Sequence, residues 1–223
     1  MSEHRLERLQ WGLIVAMAAA AAYALVQLPP GARVATHFNA QMQADGWSDA
    51  ATALWLLPGL ALALRGLQAL LPRIDPRADN LRRSARAVGT VFAAGAQVLA
   101  AFQALIVGVA LGWWLPRPGF GLVVLGLMLA FVGNVMGKLR PNATVGIRTP
   151  WTLADDRVWE RTHRVGGRWM VAAGLLLALL PATPLPTHWY GPAVLLLALL
   201  PALAATGCSW WLWRALPRAG GHG

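Results

Sequence analysis

Six apolar blocks separated by polar connections limit what this chain can fold into. They cover residues 11–28, 50–71, 87–115, 120–136, 169–185 and 190–213. An apolar run of roughly 17–25 residues is long enough to cross the hydrocarbon core of a bilayer as a helix. A helix satisfies its own backbone hydrogen bonds where no water can. Composition excludes a soluble alternative. Hydrophobic residues make up 57% of the 223 positions and charged residues 13%, against roughly 25% charged in an ordinary globular domain. The expected fold class is all-α: a polytopic membrane protein with six transmembrane helices in a single membrane domain over residues 1–223.

The net charge of +10 is almost entirely arginine. It is confined to a few connections, which points to membrane orientation and anionic lipid rather than to nucleic acid. Counted along the connections in chain order, Lys and Arg number 2, 1, 5, 1, 7, 0 and 2. The rich segments are 72–86 and 137–168. The positive-inside rule places them in the cytoplasm with both termini. Residues 29–49 then form an external loop, and the expected location is the bacterial cytoplasmic (inner) membrane.

Several finer expectations follow. Arg5 and Arg8 precede the first block and Ala22-Tyr23-Ala24 resembles a cleavage site, but Glu3 and Glu7 cancel the arginines and the block is long enough to span. It reads as an uncleaved first helix. The third block exceeds what a bilayer needs, so it should tilt or project into water. Arg65 is expected to snorkel to the interface. Pro201 should kink the last block. Nine tryptophans, among them Trp11, Trp113, Trp169 and Trp210, lie at expected helix ends, the depth their amphipathic rings prefer. Cys208 is the single cysteine, so no disulfide forms within one chain.

The external loop carries His37, Phe38, Asn39, Asp45 and Trp47. A lone histidine with this spacing matches no metal motif, so no metal site is expected, and no cofactor. The bland reading is a structured cap in which His37 and Asn39 satisfy backbone groups. The functional reading is a recognition surface for something arriving from outside.

The cytoplasmic segment, 137–168, is richer. Thr152 followed by Asp155 fits a helix start, with Asp155 as an alternative cap. Beyond it Arg157, Arg161, Arg164 and Arg168 recur at steps of four, three and four, which puts them on one helical stripe. Val158, Trp159, Thr162, Val165 and Trp169 fall on the other side. This is a basic amphipathic helix running into the fifth span. The stripe sets topology and attracts lipid; with Arg148 and Lys138 it can also hold a phosphate, an acidic partner or a lipid headgroup. His163 could titrate near neutrality, although a lone histidine at that depth is more often an ordinary interfacial residue.

Catalytic signatures are missing. There is no His-Glu-x-x-His helix, Gly-x-Ser-x-Gly elbow or phosphate-cradling loop, and no acidic residue lies inside a span, which weakens a proton-driven transporter. No enzyme activity is expected.

Two segments carry a family resemblance. Gly133-Asn134, Lys138, Arg140-Pro141-Asn142, Gly146-Ile147-Arg148-Thr149-Pro150-Trp151-Thr152-Leu153, Val158-Trp159, Thr162-His163-Arg164 and Gly166-Gly167 resemble the SdpI family, the immunity proteins for a secreted sporulation-delaying toxin. Thr36-His37-Phe38-Asn39 with Asp45-Gly46-Trp47 is similar to the N-terminal membrane domain that often precedes it. Met42 stands where that pattern leads us to expect a turn-making glycine, and Asp155 where we expect serine.

The resemblance implies a membrane protein that confers resistance to an external amphipathic toxin peptide, engaged by the outer loop. It also implies a possible cytoplasmic regulator, because the type member holds a transcriptional repressor at the membrane. On this reading the residues that matter inside are Asn134, Lys138, Arg140, Asn142, Arg148, Thr149, Trp151, Thr152, Trp159, Arg161, His163, Arg164 and Arg168. The alternative is a membrane enzyme or transporter acting on a lipid or other anionic small molecule.

Overall fold

The computed structural model describes residues 2–39 and 41–216. Helix α1 (Glu3–Gln27) leads into an antiparallel hairpin of β1 (Arg33–Phe38) and β2 (Ala44–Asp49). Then come α2 (Ala50–Ile74), the short α3 (Ala78–Arg83), α4 (Ala85–Ala110), α5 (Phe120–Met136), the one-turn α6 (Pro150–Ala154), α7 (Asp156–Leu179) and α8 (Tyr190–Ala215). Among the described residues five helices (α1, α2, α4, α7 and α8) are long and apolar enough to cross a membrane, and α5 is an apolar helix of 17 residues. At 1.5 Å per residue α5 is about 25 Å long, close to a bilayer core.

The chain is an all-α polytopic membrane protein, and its surface shows why. Only 17% of the most apolar stretch of α8 is buried. Leu195, Leu196, Leu199 and Leu203 stand exposed along it. Such a face is stable in lipid and would be an aggregation site in water.

The helices gather into two groups. Helices α1, α2 and α4 pack together, α7 packs on α5 and α8, and the α4–α5 seam joins the groups. The α5–α7 contact is the closest because four glycines remove the side chains from it. Gly126 faces Gly174, and Gly133 faces Gly167. A Cβ added at Gly126 would lie 2.5 Å from the Gly174 carbonyl oxygen, and one at Gly167 2.5 Å from the Gly133 carbonyl oxygen. Each pair is offset by seven residues from the other on both helices, two helical turns along the same face. Close backbone approach at small residues is how membrane helices gain packing energy without a hydrophobic driving force.

One buried cluster lies towards the hairpin, where Val34 packs with Ala21, Ala24, Ala53, Leu54, Ile106 and Val107. Another lies at the opposite end, where Trp159 and Leu139 meet Leu71, Leu81, Val88, Phe92 and Met136.

Several expectations are corrected or refined. The loop 29–49 is a β-hairpin. Helix α4 ends before its apolar block does: it stops at Ala110, Gly112 turns the chain with φ +70°, and the Trp114 indole folds back over Gly108. Arg65 also has a partner within the fold. Its side chain is 15% exposed and pairs with Glu7 on α1 at 3.0 Å. The basic amphipathic helix does run into the fifth span, and the two form one continuous helix, α7. Arg218, counted above with the C-terminal connection, lies outside the described residues.

Candidate functional site

The segment between α5 and α7 is held by buried polar side chains that replace regular secondary structure. Asn142 is fully buried. Its Nδ2 donates to the carbonyls of Arg140 at 2.9 Å and Val145 at 3.0 Å. Its Oδ1 accepts the backbone N–H groups of Thr144 at 2.9 Å and Val145 at 2.6 Å. One amide thus folds the loop around itself, as buried backbone groups require partners.

Asp75, 5% exposed, ties that loop to the end of α2. One carboxylate oxygen accepts the N–H of Arg77 at 2.7 Å. The other accepts the Ala143 N–H at 2.9 Å and the Thr144 hydroxyl at 2.8 Å. Asn80 donates to the Pro141 carbonyl at 2.8 Å, and Arg140 N–H donates to the Ser84 hydroxyl at 2.8 Å. Sequence reasoning singled out neither Asp75, Asn80 nor Ser84. The signal available was weak: Asp75 precedes Pro76 between two helices, a common turn arrangement.

The second half of the loop closes onto α7. Trp159 and His163, one turn apart and both fully buried, stack with ring centroids 3.9 Å apart. Trp159 donates its indole N–H to the Leu139 carbonyl at 2.8 Å. His163 Nδ1 lies 2.8 Å from the Trp159 carbonyl, and its Nε2 lies 2.9 Å from the Ile147 N–H. A carbonyl can only accept and an N–H can only donate, so the neutral ring carries its proton on Nδ1. Gly146, at φ +129°, runs against Nε2 of this ring, where a Cβ would collide.

Thr149 then caps α6 in a capping box with Thr152 and donates to the Ser209 hydroxyl on α8 at 3.0 Å. Thr152 is therefore inside α6, and Asp155 is the residue that caps α7. The Arg157 guanidinium hydrogen-bonded to Asp155 holds that carboxyl below the usual carboxylate range. Arg77 reaches across to Asp156 at 3.1 Å.

The inner residues singled out from the sequence therefore divide. Asn142, Thr149, Thr152, Trp159 and His163 are buried and build the loop; they are not a contact surface. In particular His163 is no interfacial residue, since its ring is sealed and both nitrogens are committed. Trp151 is half-buried. Asn134, Lys138, Arg140, Arg148, Arg161, Arg164 and Arg168 are exposed. The arginine stripe of α7 thus faces out, while Val158, Trp159 and Thr162 on the same helix face in.

The hairpin is built with similar economy. Asn39 organises its tip: Oδ1 accepts the N–H groups of Gln41 at 3.0 Å and Gln43 at 2.9 Å, and its own N–H donates to the Gln43 carbonyl at 2.9 Å. Met42, where a glycine was expected, adopts φ 59°, the left-handed conformation that glycine favours. His37 does not satisfy backbone. Its Nδ1 meets the Asp45 carboxylate at 2.6 Å across the strands, with both side chains exposed. Gly46 pairs with His37 at an irregular register, and a Cβ there would lie 2.9 Å from that of His37. Trp47 is 50% exposed, Phe38 half-buried. Arg33 donates to the Trp47 carbonyl at 2.9 Å, and Gln41 approaches the Thr187 hydroxyl, beside α8, at 3.5 Å. The hairpin so presents His37, Asp45 and Trp47 outward on a rigid base. Among the described residues no group of three or more His, Cys, Asp or Glu side chains could hold a metal ion.

Comparison with known proteins adds two family matches. Residues 138–209 match the SdpI/YfhL protein family, and residues 12–62 match a domain of unknown function, DUF1648. The first match takes in the Asn142 loop, α6, α7 and most of α8; the second takes in most of α1, the hairpin and half of α2. The chain is also 38% identical over 55 residues to Immunity protein SdpI of Bacillus subtilis (strain 168), covering 25% of this chain and 27% of that protein. The alignment thus spans about a quarter of that relative's length. The resemblance to the SdpI family is shown by these matches. No solved structure matches.

Proposed function

We propose that this protein is a membrane immunity protein that protects a bacterial cell from an amphipathic toxin peptide arriving at the hairpin face. The observation that carries the proposal is the SdpI/YfhL match over 138–209, together with the curated immunity protein that the chain resembles. The hairpin supports the binding half of the reading. It offers a carboxylate–imidazole pair and an exposed indole on a base fixed by Val34 and Asn39. A pre-organised surface of this kind loses little entropy on binding a peptide. The amphipathic peptide would lay apolar side chains on Trp47 and pair its charged groups with Asp45 or His37.

In this reading both termini and the segment 137–168 are cytoplasmic, as the arginine counts require, and the membrane is the bacterial inner membrane. The hairpin tip, through Gln41 and Thr187, neighbours the start of α8. Helix α8 carries Ser209, which meets Thr149 at the other end. A peptide that shifts α8 would therefore disturb the loop that presents Arg148 and the arginines of α7 to a cytoplasmic regulator. The protein acts in this account as a binding and signalling module rather than an enzyme.

The test is survival of a toxin-sensitive bacterium expressing hairpin variants. His37→Ala and Trp47→Ala are expected to lose protection at unchanged membrane level. Full protection by both variants would remove the hairpin from the mechanism.

A further inference from the structure

One cleft on the inner-facing half of the molecule is lined by polar groups that the fold does not use. It lies between α1, α4 and α5, with a volume of about 510 Å³. Arg86, Thr90 and Gln97 line it from α4, Phe131 and Asn134 from α5, and Lys138 from the turn just after α5. The side chains of Arg86, Lys138 and Asn134 make no hydrogen bond or ion pair with another described residue, and no acidic side chain lines the cleft. Two free cations and a free amide at one spot form a site for a phosphate-like anion.

The cleft does not end at its polar part. Gln97 and Phe131 also belong to an apolar groove of about 200 Å³ that continues along the same α4–α5 seam past Leu127 and Met128 to Val124. Leu127 and Phe131 are exposed on it, so it opens to lipid. From Met136, just before Lys138, to Val124 the helix rises about 18 Å, a little more than the roughly 15 Å depth of one leaflet's hydrocarbon. A cationic pocket at one end and an apolar groove of one acyl chain's length leading away from it match a single kind of occupant.

We infer that this cleft binds one anionic phospholipid of the leaflet facing the basic segments, with its phosphate at Arg86 and Lys138, its polar headgroup at Asn134, and an acyl chain along Phe131, Leu127 and Val124. The lipid would bridge the two helix groups at the seam that joins them. It would do so at a place distinct from the exposed arginine stripe of α7. Arg161, Arg164 and Arg168 line neither this cleft nor its apolar groove.

The experiment is native mass spectrometry of the purified full-length protein with added phosphatidylglycerol or phosphatidylcholine. Wild type is expected to retain a single phosphatidylglycerol preferentially. Arg86→Gln with Lys138→Gln should lower that occupancy roughly tenfold or more and leave phosphatidylcholine unchanged. Arg161→Gln with Arg164→Gln should leave phosphatidylglycerol occupancy as it is in wild type. All four side chains are exposed, so both double variants, once stripped of lipid, should keep the melting temperature of lipid-free wild type. Unchanged occupancy in the cleft variant would overturn the inference. So would an equal loss in the stripe variant, which would mean that lipid is held by diffuse charge.

Discussion

His163 Nε2 accepts the Ile147 N–H at 2.9 Å while its other nitrogen donates to the Trp159 carbonyl at 2.8 Å. The ring therefore links α7 to the loop that crosses it, and it does so in one tautomer. Truncation to alanine leaves the Ile147 N–H buried without a partner and opens a void against Trp159. The expected cost of His163→Ala is about 2–4 kcal/mol, read as a lower apparent melting temperature in detergent. Arg161→Ala, two positions away and exposed, should leave the melting temperature unchanged.

The glycine contacts predict a sharp positional dependence. Gly133→Leu drives a side chain into the Gly167 carbonyl and the backbone of Val171. No rotamer avoids backbone, so α5 and α7 must separate. Overpacking of this kind costs about 1–3 kcal/mol or more. The same change at Gly12, which has open space around its Cβ position, should be tolerated. Yield of folded protein by size-exclusion chromatography distinguishes the two.

Met42 holds a left-handed conformation that costs a non-glycine residue on the order of 1 kcal/mol. Met42→Gly should relieve it, partly offset by the greater freedom of glycine in the unfolded chain. The outcome expected is slower hydrogen exchange at the Asn39 and Gln43 amides, both of which are hydrogen-bonded in the turn. Faster exchange would mean that the Met42 side chain itself holds the tip.

The Asp49 carboxyl lies below its ordinary range because the Thr52 N–H donates to it at the N-terminus of α2. A carboxylate whose folded pKa is depressed contributes stability above its unfolded value. That contribution fades as pH falls through the folded pKa. The first turn of α2 should therefore open more readily, by hydrogen exchange, as pH drops below about 3.8. Asp49→Asn should abolish that pH dependence, since the amide oxygen caps without titrating.

The sequence made the membrane class legible because lipid imposes one strong rule, long uninterrupted apolar runs. Block 120–136 and helix α5 even share their bounds. Elsewhere the competing physics is local. The hairpin was hidden because Ala44 to Asp49 lacks β-branched residues and depends on Asn39 and Val34 for its position. Helix α4 is shorter than its apolar run because Gly112 breaks a sequence that hydropathy alone would continue through Trp113 and Trp114.

The polar loop was legible as a segment but not as an interior. Asn142, Trp159 and His163 stood out by residue type, yet burial depends on partners far away in sequence. Asp75 is one of these, 68 positions from Ala143. The arginine stripe was the opposite case: periodicity alone assigned it to one face, and α7 carries it outward. The glycine pairs needed both helices to be placed before their spacing meant anything.

The central claim is protection, and survival measures it directly. A sensitive bacterium expressing this protein, and one expressing an inactive control at matched membrane level, would be challenged with a panel of membrane-active peptides, including a sporulation-delaying toxin. The account predicts that survival rises with expression for at least one amphipathic peptide and that His37→Ala abolishes the gain. Equal killing of both strains across the panel, with the protein folded and present in the membrane, would contradict it.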